Sequence, residues 1–257
     1  MSTKRPEFLD KSQKFLSIAH PVVTGPNKYK SKFGRILELV FRKGYFTLQT
    51  LVMLADEVEK MPDLQIVVGG SMLDLSRRVF EDMIYMEYIA EKDKEKYTDQ
   101  FLDYVAVDQK NDMEFLLSFG STVEEQVQEL VNKSYDQVPE KLRKRNNWSG
   151  QSVEQIIEWL VNKGLLNSSE KETVLKVYVA GNRKNHTSPS DILDHTTQEL
   201  ITGASERDIE MALMITHGSL IKIGLRLLDE IESSNELKNQ FEASWKSINQ
   251  QLYNLVG

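Results

Sequence analysis

The stretch IVVGGSMLDLSRRVFEDMIYMEYIA, residues 66–90, decides the fold class. It is the most hydrophobic segment of the chain, and its apolar residues recur every three or four positions, as the residues on one face of a helix do. That face consists of Met72, Leu75, Val79, Met83, Met86 and Ile89, and it is widened by Phe80 and Ile84. An apolar face of this width predicts a central helix that is buried over much of its girth.

The same spacing continues through most of the chain. It predicts further helices over residues 33–41, 47–61, 98–112, 123–134, 152–163, 168–178, 205–231 and 235–255. Gly44 is expected to interrupt the first two, and Gly164 to cap the helix before it. Strand patterns are nearly absent. The sequence therefore predicts an all-α protein, with a weakly structured segment over residues 1–30 and a single helical bundle over residues 31–257.

Composition narrows the class of protein. A chain of 257 residues is long enough to bury a core. The absence of cysteine excludes disulfides and cysteine metal sites, and it favours a cytoplasmic location. The polar N-terminus does not resemble a secretory signal, and no apolar run is expected to span a bilayer. A net charge of −7 argues against a general nucleic-acid coat protein.

The densest group of polar residues is YVAGNRKNHTSPS, residues 178–190, at the end of a predicted helix. Its histidine, His186, has a side chain that can act as an acid or a base near neutral pH. The same position also suits a histidine that only caps the last carbonyls of a helix. The sequence leaves both interpretations open.

A basic cluster is the second candidate site. It consists of Lys141, Arg143, Lys144 and Arg145, with Trp148 close by. Cations beside an aromatic ring can bind a phosphate backbone and stack on a base. The alternative is a solvated loop whose tryptophan belongs to the core.

A charged pair, Arg77 and Glu81, lies one turn apart within the central apolar stretch. Because arginine before glutamate is the weaker order for isolated helices, local helix stabilisation explains the pair poorly. It is either a buried structural pair or an exposed surface pair.

Cofactor motifs are missing from the sequence. There is no phosphate-binding glycine loop and no dinucleotide fingerprint, and the four histidines have no metal-ligand spacing. The sequence therefore predicts no cofactor and no metal. His217, in the middle of a predicted helix, is expected to be a core or interface residue.

Three blocks together resemble a bacterial helical family known only as domain of unknown function number five-six-seven-seven. The first is an Arg-x-x-x-Glu helix followed by an aromatic-rich helix, matched by Arg77, Glu81, Tyr97, Phe101 and Tyr104. The second is a Trp-Ser-Gly turn, matched by residues 148–150. The third is a tyrosine-containing helix that leads to a histidine and small hydroxyl residues, matched by Tyr178, His186, Thr187 and Ser188. The resemblance covers roughly residues 45–200.

This layout also resembles the HEPN superfamily of helical bundles, many of which are dimeric ribonucleases of toxin–antitoxin and phage-defence systems. The resemblance implies an HEPN-like core with extra terminal helices, a homodimer, and His186 as the motif histidine. Asn182 matches the polar position of the motif, while Gly181 stands where the motif arginine belongs. Arg183 or Arg77 would then have to supply the guanidinium.

Two functions follow from this resemblance. The first is a non-catalytic helical module that binds RNA, a nucleotide or a partner protein. The second is a metal-independent ribonuclease that uses His186, Asn182, Arg183 and Arg77, with Lys184 and the basic cluster holding the RNA. The missing motif arginine and the acidic net charge favour the first.

Overall fold

The computed structural model of the chain describes residues 7–61, 65–166, 198–233 and 235–256. Throughout these ranges the regular structure is helical, with a single isolated bridge between Tyr29 and Ile231, so the predicted all-α class is confirmed. The described helices are α1 (Glu7–Thr24), α2 (Lys32–Lys60), α3 (Gln65–Lys92), α4 (Lys94–Ser118), α5 (Glu125–Gln137), α6 (Glu140–Arg143), α7 (Val153–Asn162), α8 (Gln198–Glu230) and α9 (Asn235–Val256).

The chain divides into two compact units. The first unit contains residues 1–87 and 157–257, and the second contains residues 88–156. The sequence pattern had predicted one domain over residues 31–257, because a helical periodicity that continues without a break carries no sign of an inserted unit.

Helix α8 is the centre of the first unit and packs on α1, α2 and α9. Gly224 lets these helices approach closely, since a Cβ atom there would lie 2.3 Å from the Phe241 ring and 2.8 Å from the Phe41 ring. Both rings are fully buried, and Phe15 packs edge-on against Phe241 at 5.1 Å between centroids. The central position of this unit therefore belongs to α8, whereas periodicity had favoured the helix over residues 66–90.

Gly44 does not interrupt α2, which runs unbroken from residue 32 to residue 60. A Cβ atom at Gly44 would lie 3.0 Å from Leu220 and 3.3 Å from Val79. The glycine therefore serves close packing of helices rather than a break, and a single sequence does not distinguish these two uses.

Residues 7–24 form α1, so the expectation of a weakly structured segment over residues 1–30 is wrong for this part. Its apolar residues keep helical spacing and are buried, namely Phe8, Leu9, Phe15, Ala19, Val22 and Val23. Pro21 is tolerated in the last turn. The free energy gained by burying this apolar face outweighs the loss of the backbone hydrogen bond that proline cannot donate.

The connection from α1 to α2 is held by a buried carboxylate. Glu38 accepts hydrogen bonds from the Asn27 amide at 2.9 Å and from the Tyr29 hydroxyl, and it pairs with Arg42 at 2.8 Å. Ser31 caps α2 by accepting from the Gly34 amide at 3.1 Å. These contacts satisfy a charge that would otherwise be costly to bury.

Part of α8, residues 206–230, is long and apolar enough to cross a membrane by length and hydropathy, contrary to the prediction that no such run exists. In the first unit, however, 78% of its most apolar window is buried. High hydropathy combined with burial is typical of the core helix of a helical unit.

The second unit is built on α4, α5 and α6. Asp93 caps α4 by accepting from the Lys96 amide, and the turn that follows the end of α4 contains Gly120, which has a φ of 76°. There the Gly120 amide donates to Leu117 O and the Ser121 amide to Leu116 O, as in a Schellman motif. The chain then turns back, so that α5 packs along α4.

The glycine predicted to cap α7 does so. Gly164 has a φ of 73°, and its amide donates to Val161 O at 2.9 Å. At the other end of the helix, Ser152 and Gln155 form a reciprocal capping box, with the Gln155 amide donating to the Ser152 hydroxyl and the Ser152 amide to the Gln155 side chain.

Candidate functional site

The histidine site predicted from the sequence lies outside the described residues. This holds for Asn182, Arg183, Lys184 and His186, and for the rest of the stretch over residues 178–190. The roles assigned to them therefore stay predictions.

Arg77 and Glu81 form the ion pair that their spacing indicates. The Arg77 Nε donates to Glu81 Oε1 at 2.7 Å, and the two side chains are 20% and 21% exposed. The pair is thus half-buried on α3. It is neither the fully buried structural pair nor the exposed surface pair that the sequence left open. A pair of this kind stabilises a helix by less than about 1 kcal/mol.

Half of the basic cluster lies beside carboxylates of the same unit. Arg143 lies 3.8 Å from Asp136 and also stacks on the Tyr135 ring at 5.1 Å, and Lys144 pairs with Glu140. These contacts reduce the positive charge that the cluster offers to a ligand.

Trp148 is 6% exposed and belongs to the core of the second unit. Its indole packs edge-on against Phe101 at 5.3 Å, against Tyr88 at 6.2 Å and against Tyr97 at 6.4 Å between centroids. A ring enclosed by three others has no free face on which a base could stack. The contacts support the core alternative for this tryptophan.

The turn after Trp148 is fixed by Asn147. Its side-chain oxygen accepts from the Gly150 amide at 2.6 Å and from the Ser149 hydroxyl at 3.0 Å. Gly150 has a φ of 68°, a conformation that favours glycine. The Trp148 carbonyl in turn accepts from the Gln100 amide on α4. The aromatic block and the Trp-Ser-Gly block of the sequence are therefore brought together as one packed structure.

Beside this core, the Lys92 ammonium donates to the Tyr88 hydroxyl and lies 4.7 Å from the centre of the Tyr88 ring. Burial raises the pKa of the Tyr88 phenol. At neutral pH the tyrosine is protonated and the lysine is charged, so the contact is a charged hydrogen bond with no sign of a base or a nucleophile.

His217 is buried in the first unit, as its position in the sequence predicted. Its Nδ1 lies 3.3 Å from the Ser12 hydroxyl, and its ring packs on Phe15 at 4.7 Å. Its Nε2 has no hydrogen-bond partner. Burial lowers the pKa of this imidazole to about 3, so it is neutral at physiological pH and has no access to a substrate.

A pocket of about 260 Å³ lies between α8 and α9, and Glu87 of α3 is one of its lining residues. Its charges are largely matched: Arg226 binds Glu87 through two hydrogen bonds of 3.2 and 2.7 Å, and Asp229 pairs with Lys238 at 2.6 Å. Because these charged side chains are already paired with each other, few of them are left to bind a polar ligand. In the part of the chain that the structure describes, no group of three or more His, Asp and Glu side chains is placed to hold a metal ion.

The most distinctive surface of the second unit is the hairpin of α4 and α5, joined by a hydrogen bond of 2.8 Å from Lys110 to Asn132. Six large apolar side chains near its turn are between 38% and 73% exposed, and we call them the apolar tip. They are Phe115, Leu116, Leu117, Phe119, Val127 and Leu130. No residue of α5 is buried, and the rings of Phe115 and Phe119 lie 4.8 Å apart at the surface.

The charge around this tip is strongly negative. Residues 99–137 carry nine carboxylates and two lysines. Burial raises the pKa of the Asp108 carboxyl, and the negative charge of the neighbouring Asp112 raises it further. The sequence contained the signal for this surface, because α5 is amphipathic, but amphipathic helices are normally read as contributing to the core.

The pattern of a family described as a family of unknown function (DUF5677) matches residues 42–200. The chain belongs to this family. The match confirms the family resemblance seen in the sequence, with nearly the same bounds. It includes the aromatic core around Trp148, the hairpin and the predicted histidine stretch. No curated protein and no solved structure matches the chain.

Proposed function

We propose that this member of the family is a non-catalytic, HEPN-like helical module that binds a partner protein. The partner would contribute a basic amphipathic helix, which docks on the apolar tip of the α4–α5 hairpin. The observation that carries the proposal is the tip itself, six large apolar side chains exposed together at the end of a helical hairpin.

The size of the tip is one argument for a partner. Each of its side chains leaves on the order of 50–150 Å² accessible, so the tip amounts to several hundred Å². Monomeric soluble proteins rarely expose contiguous apolar patches larger than this, and such patches commonly mark interaction sites. An amphipathic helix laid in an apolar groove or on an apolar face is a recurrent way of filling them.

The negative charge of the hairpin favours a positively charged partner. A second copy of this acidic surface would meet it with like charge, which costs free energy at an interface. A helix with lysines or arginines flanking an apolar face would cover the tip and pair with the carboxylates around it. Charge complementarity therefore favours a basic helix of another protein over self-association at this site.

RNA is less well suited to the second unit than a protein. The carboxylates of residues 99–137 repel a phosphate backbone. In the basic cluster Arg143 and Lys144 lie beside carboxylates, and Trp148 is enclosed by other rings. These observations support the protein-binding alternative among the functions that the resemblance implies.

The test uses the full chain and a fluorescent amphipathic peptide of leucine and lysine about 18 residues long. We expect anisotropy to report binding that weakens at least tenfold in Phe119→Asp and in Leu130→Asp. Raising the salt concentration from about 50 to 300 mM should also weaken it, because the flanking charge pairs are exposed. A peptide of the same composition in scrambled order should bind much less.

Phe46→Asp is the matched control, since Phe46 is as exposed as the tip residues and lies on α2. This variant should bind the peptide like the wild type. Equal binding of the ordered and scrambled peptides, or unchanged binding by both tip variants, would show that only bulk charge attracts the peptide and would refute the proposal.

The alternative, a metal-independent ribonuclease with His186, Asn182, Arg183 and Arg77 in the site, stays a prediction of the resemblance. The same holds for a role in phage defence or in a toxin–antitoxin system.

A further inference from the structure

Helix α2 carries an exposed apolar stripe in the first unit. Leu39, Phe46 and Met53 are between 56% and 63% exposed, although the opposite face of the same helix is buried. They are seven residues apart, so successive side chains lie about 10 Å apart along the helix and deviate by only about 20° from a straight line. We call these three residues the α2 stripe.

Two charges extend the stripe. Arg35 and Glu57 lie eleven residues before and after Phe46, and eleven residues is close to three full helical turns. Both side chains therefore project in the same direction as the stripe, about 16 Å on either side of Phe46. Read from either end, the line consists of a charge, three apolar side chains and the opposite charge.

We propose that the α2 stripe is the contact surface for a second copy of this chain, in antiparallel orientation, with Phe46 on the two-fold axis. Leu39 then packs on the partner's Met53, and Arg35 lies opposite the partner's Glu57. The two-fold axis repeats each of these contacts, as an isologous interface requires.

The charges decide the orientation. In a parallel pair the arginines would face each other, and so would the glutamates, whereas the antiparallel pair matches both. Arg35 is exposed and takes part in no ion pair with the rest of the described chain. Glu57 is bound only at the surface, to the exposed Lys60 at 2.6 Å, and a surface pair of this kind is exchanged at little cost.

The composition of the stripe also favours a second copy over the partner proposed for the hairpin. The apolar tip is surrounded by an excess of carboxylates and needs a basic partner, whereas the α2 stripe is flanked by one charge of each sign and complements itself. At the far ends, Lys32 and the partner's Lys60 face solvent, where salt screens their repulsion.

The small apolar area of the α2 stripe indicates a weak dimer. Three side chains that are a little over half exposed supply on the order of 300 Å² per protomer, below the roughly 800 Å² of a standard interface. The aliphatic stems of the flanking long side chains add to this contact area. We therefore expect a monomer–dimer equilibrium that depends on protein concentration.

Sedimentation equilibrium of the full chain over a wide concentration range tests the proposal. Phe46→Asp should abolish dimerisation, because it places two carboxylates together on the axis. Arg35→Glu and Glu57→Arg should each weaken the dimer about tenfold, since each creates two like-charged contacts. The double variant Arg35→Glu/Glu57→Arg restores opposite charges at both contacts and should regain the wild-type dissociation constant.

Phe115→Asp, in the apolar tip, is the control and should dimerise like the wild type. All of these substitutions lie on exposed positions, so thermal unfolding should change little and will show that the variants fold. A chain that remains monomeric at the highest concentration would overturn the proposal. A double variant no better than either single variant, or a dimer that Phe115→Asp disrupts and Phe46→Asp does not, would do the same.

Discussion

The close approach of helices at Gly224 in the first unit provides a sharp test of the fold. In Gly224→Ala the new Cβ atom would lie 2.3 Å from Phe241 Cε1 and 2.8 Å from Phe41 Cε2, whereas carbon atoms pack at about 3.5–4.0 Å. Both rings are fully buried, so one of them has to move by about 1 Å in a dense core. Overpacking of this kind costs about 3 kcal/mol, and the better helix propensity of alanine returns about 1 kcal/mol.

The net effect is a loss of about 2 kcal/mol in the free energy of unfolding. For a unit of this size the melting temperature should fall by about 4–8 °C. Urea unfolding followed by far-ultraviolet circular dichroism measures the free energy of unfolding, and a thermal scan measures the melting temperature.

Gly218→Ala on the same helix is the matched control. Its Cβ atom would lie 3.7 Å from Trp245 and 3.9 Å from Ile248, which are ordinary contact distances. This variant should gain about 0.5–1 kcal/mol, because alanine favours the helix and restricts the unfolded chain. If Gly224→Ala is as stable as Gly218→Ala, the packing of α8 against Phe41 and Phe241 is not as described.

Two further predictions concern single side chains, and a third concerns RNA cleavage. Because the pKa of His217 falls to about 3 in the folded protein, from about 6.5 unfolded, the unfolded state binds the extra proton and stability is lost as pH falls below about 6.5. Between pH 7 and pH 5.5 this histidine should cost about 1 kcal/mol, and urea unfolding of His217→Phe should lack that share of the loss. Glu38→Ala should destabilise the first unit by about 2–3 kcal/mol in the same assay, since it removes the acceptor of the Tyr29 hydroxyl and one of the two acceptors of the Asn27 amide, the other being the Val22 carbonyl. A change below about 0.5 kcal/mol would contradict the role of this carboxylate. Purified protein should not cleave RNA in the presence of a metal chelator, and cleavage that His186→Ala abolishes would favour the ribonuclease alternative.

Part of the candidate surface could be recognised in the sequence. The amphipathic pattern of α5 and the carboxylates of residues 99–137 are visible there, but their exposure is not. Amphipathicity shows only that one face differs from the other. Which apolar faces find a partner inside the molecule depends on contacts between residues that are distant in the chain.

Trp148 illustrates the same limit. Its position beside four basic residues was compatible with both a ligand site and a core, and local sequence contains no further information. Trp148 lies in the core because it packs against Tyr88, Tyr97 and Phe101. These three residues lie 47 to 60 positions earlier in the chain, so a local pattern around Trp148 does not contain them.

By itself, the amino-acid sequence determined the helical class, most helix positions, the Gly164 cap and the expectation that His217 is a core or interface residue. These properties follow from spacing and from the backbone chemistry of a few neighbouring residues. The membership in the family was recognised from the resemblance of three sequence blocks and confirmed by the family match. Only the tertiary structure decided that Gly44 continues a helix, that α8 is central in its unit, and that the α2 stripe and the apolar tip stay exposed. The reason is physical: burial is a property of pairs of surfaces, and the pairing of helices is determined by packing between segments that no local pattern connects.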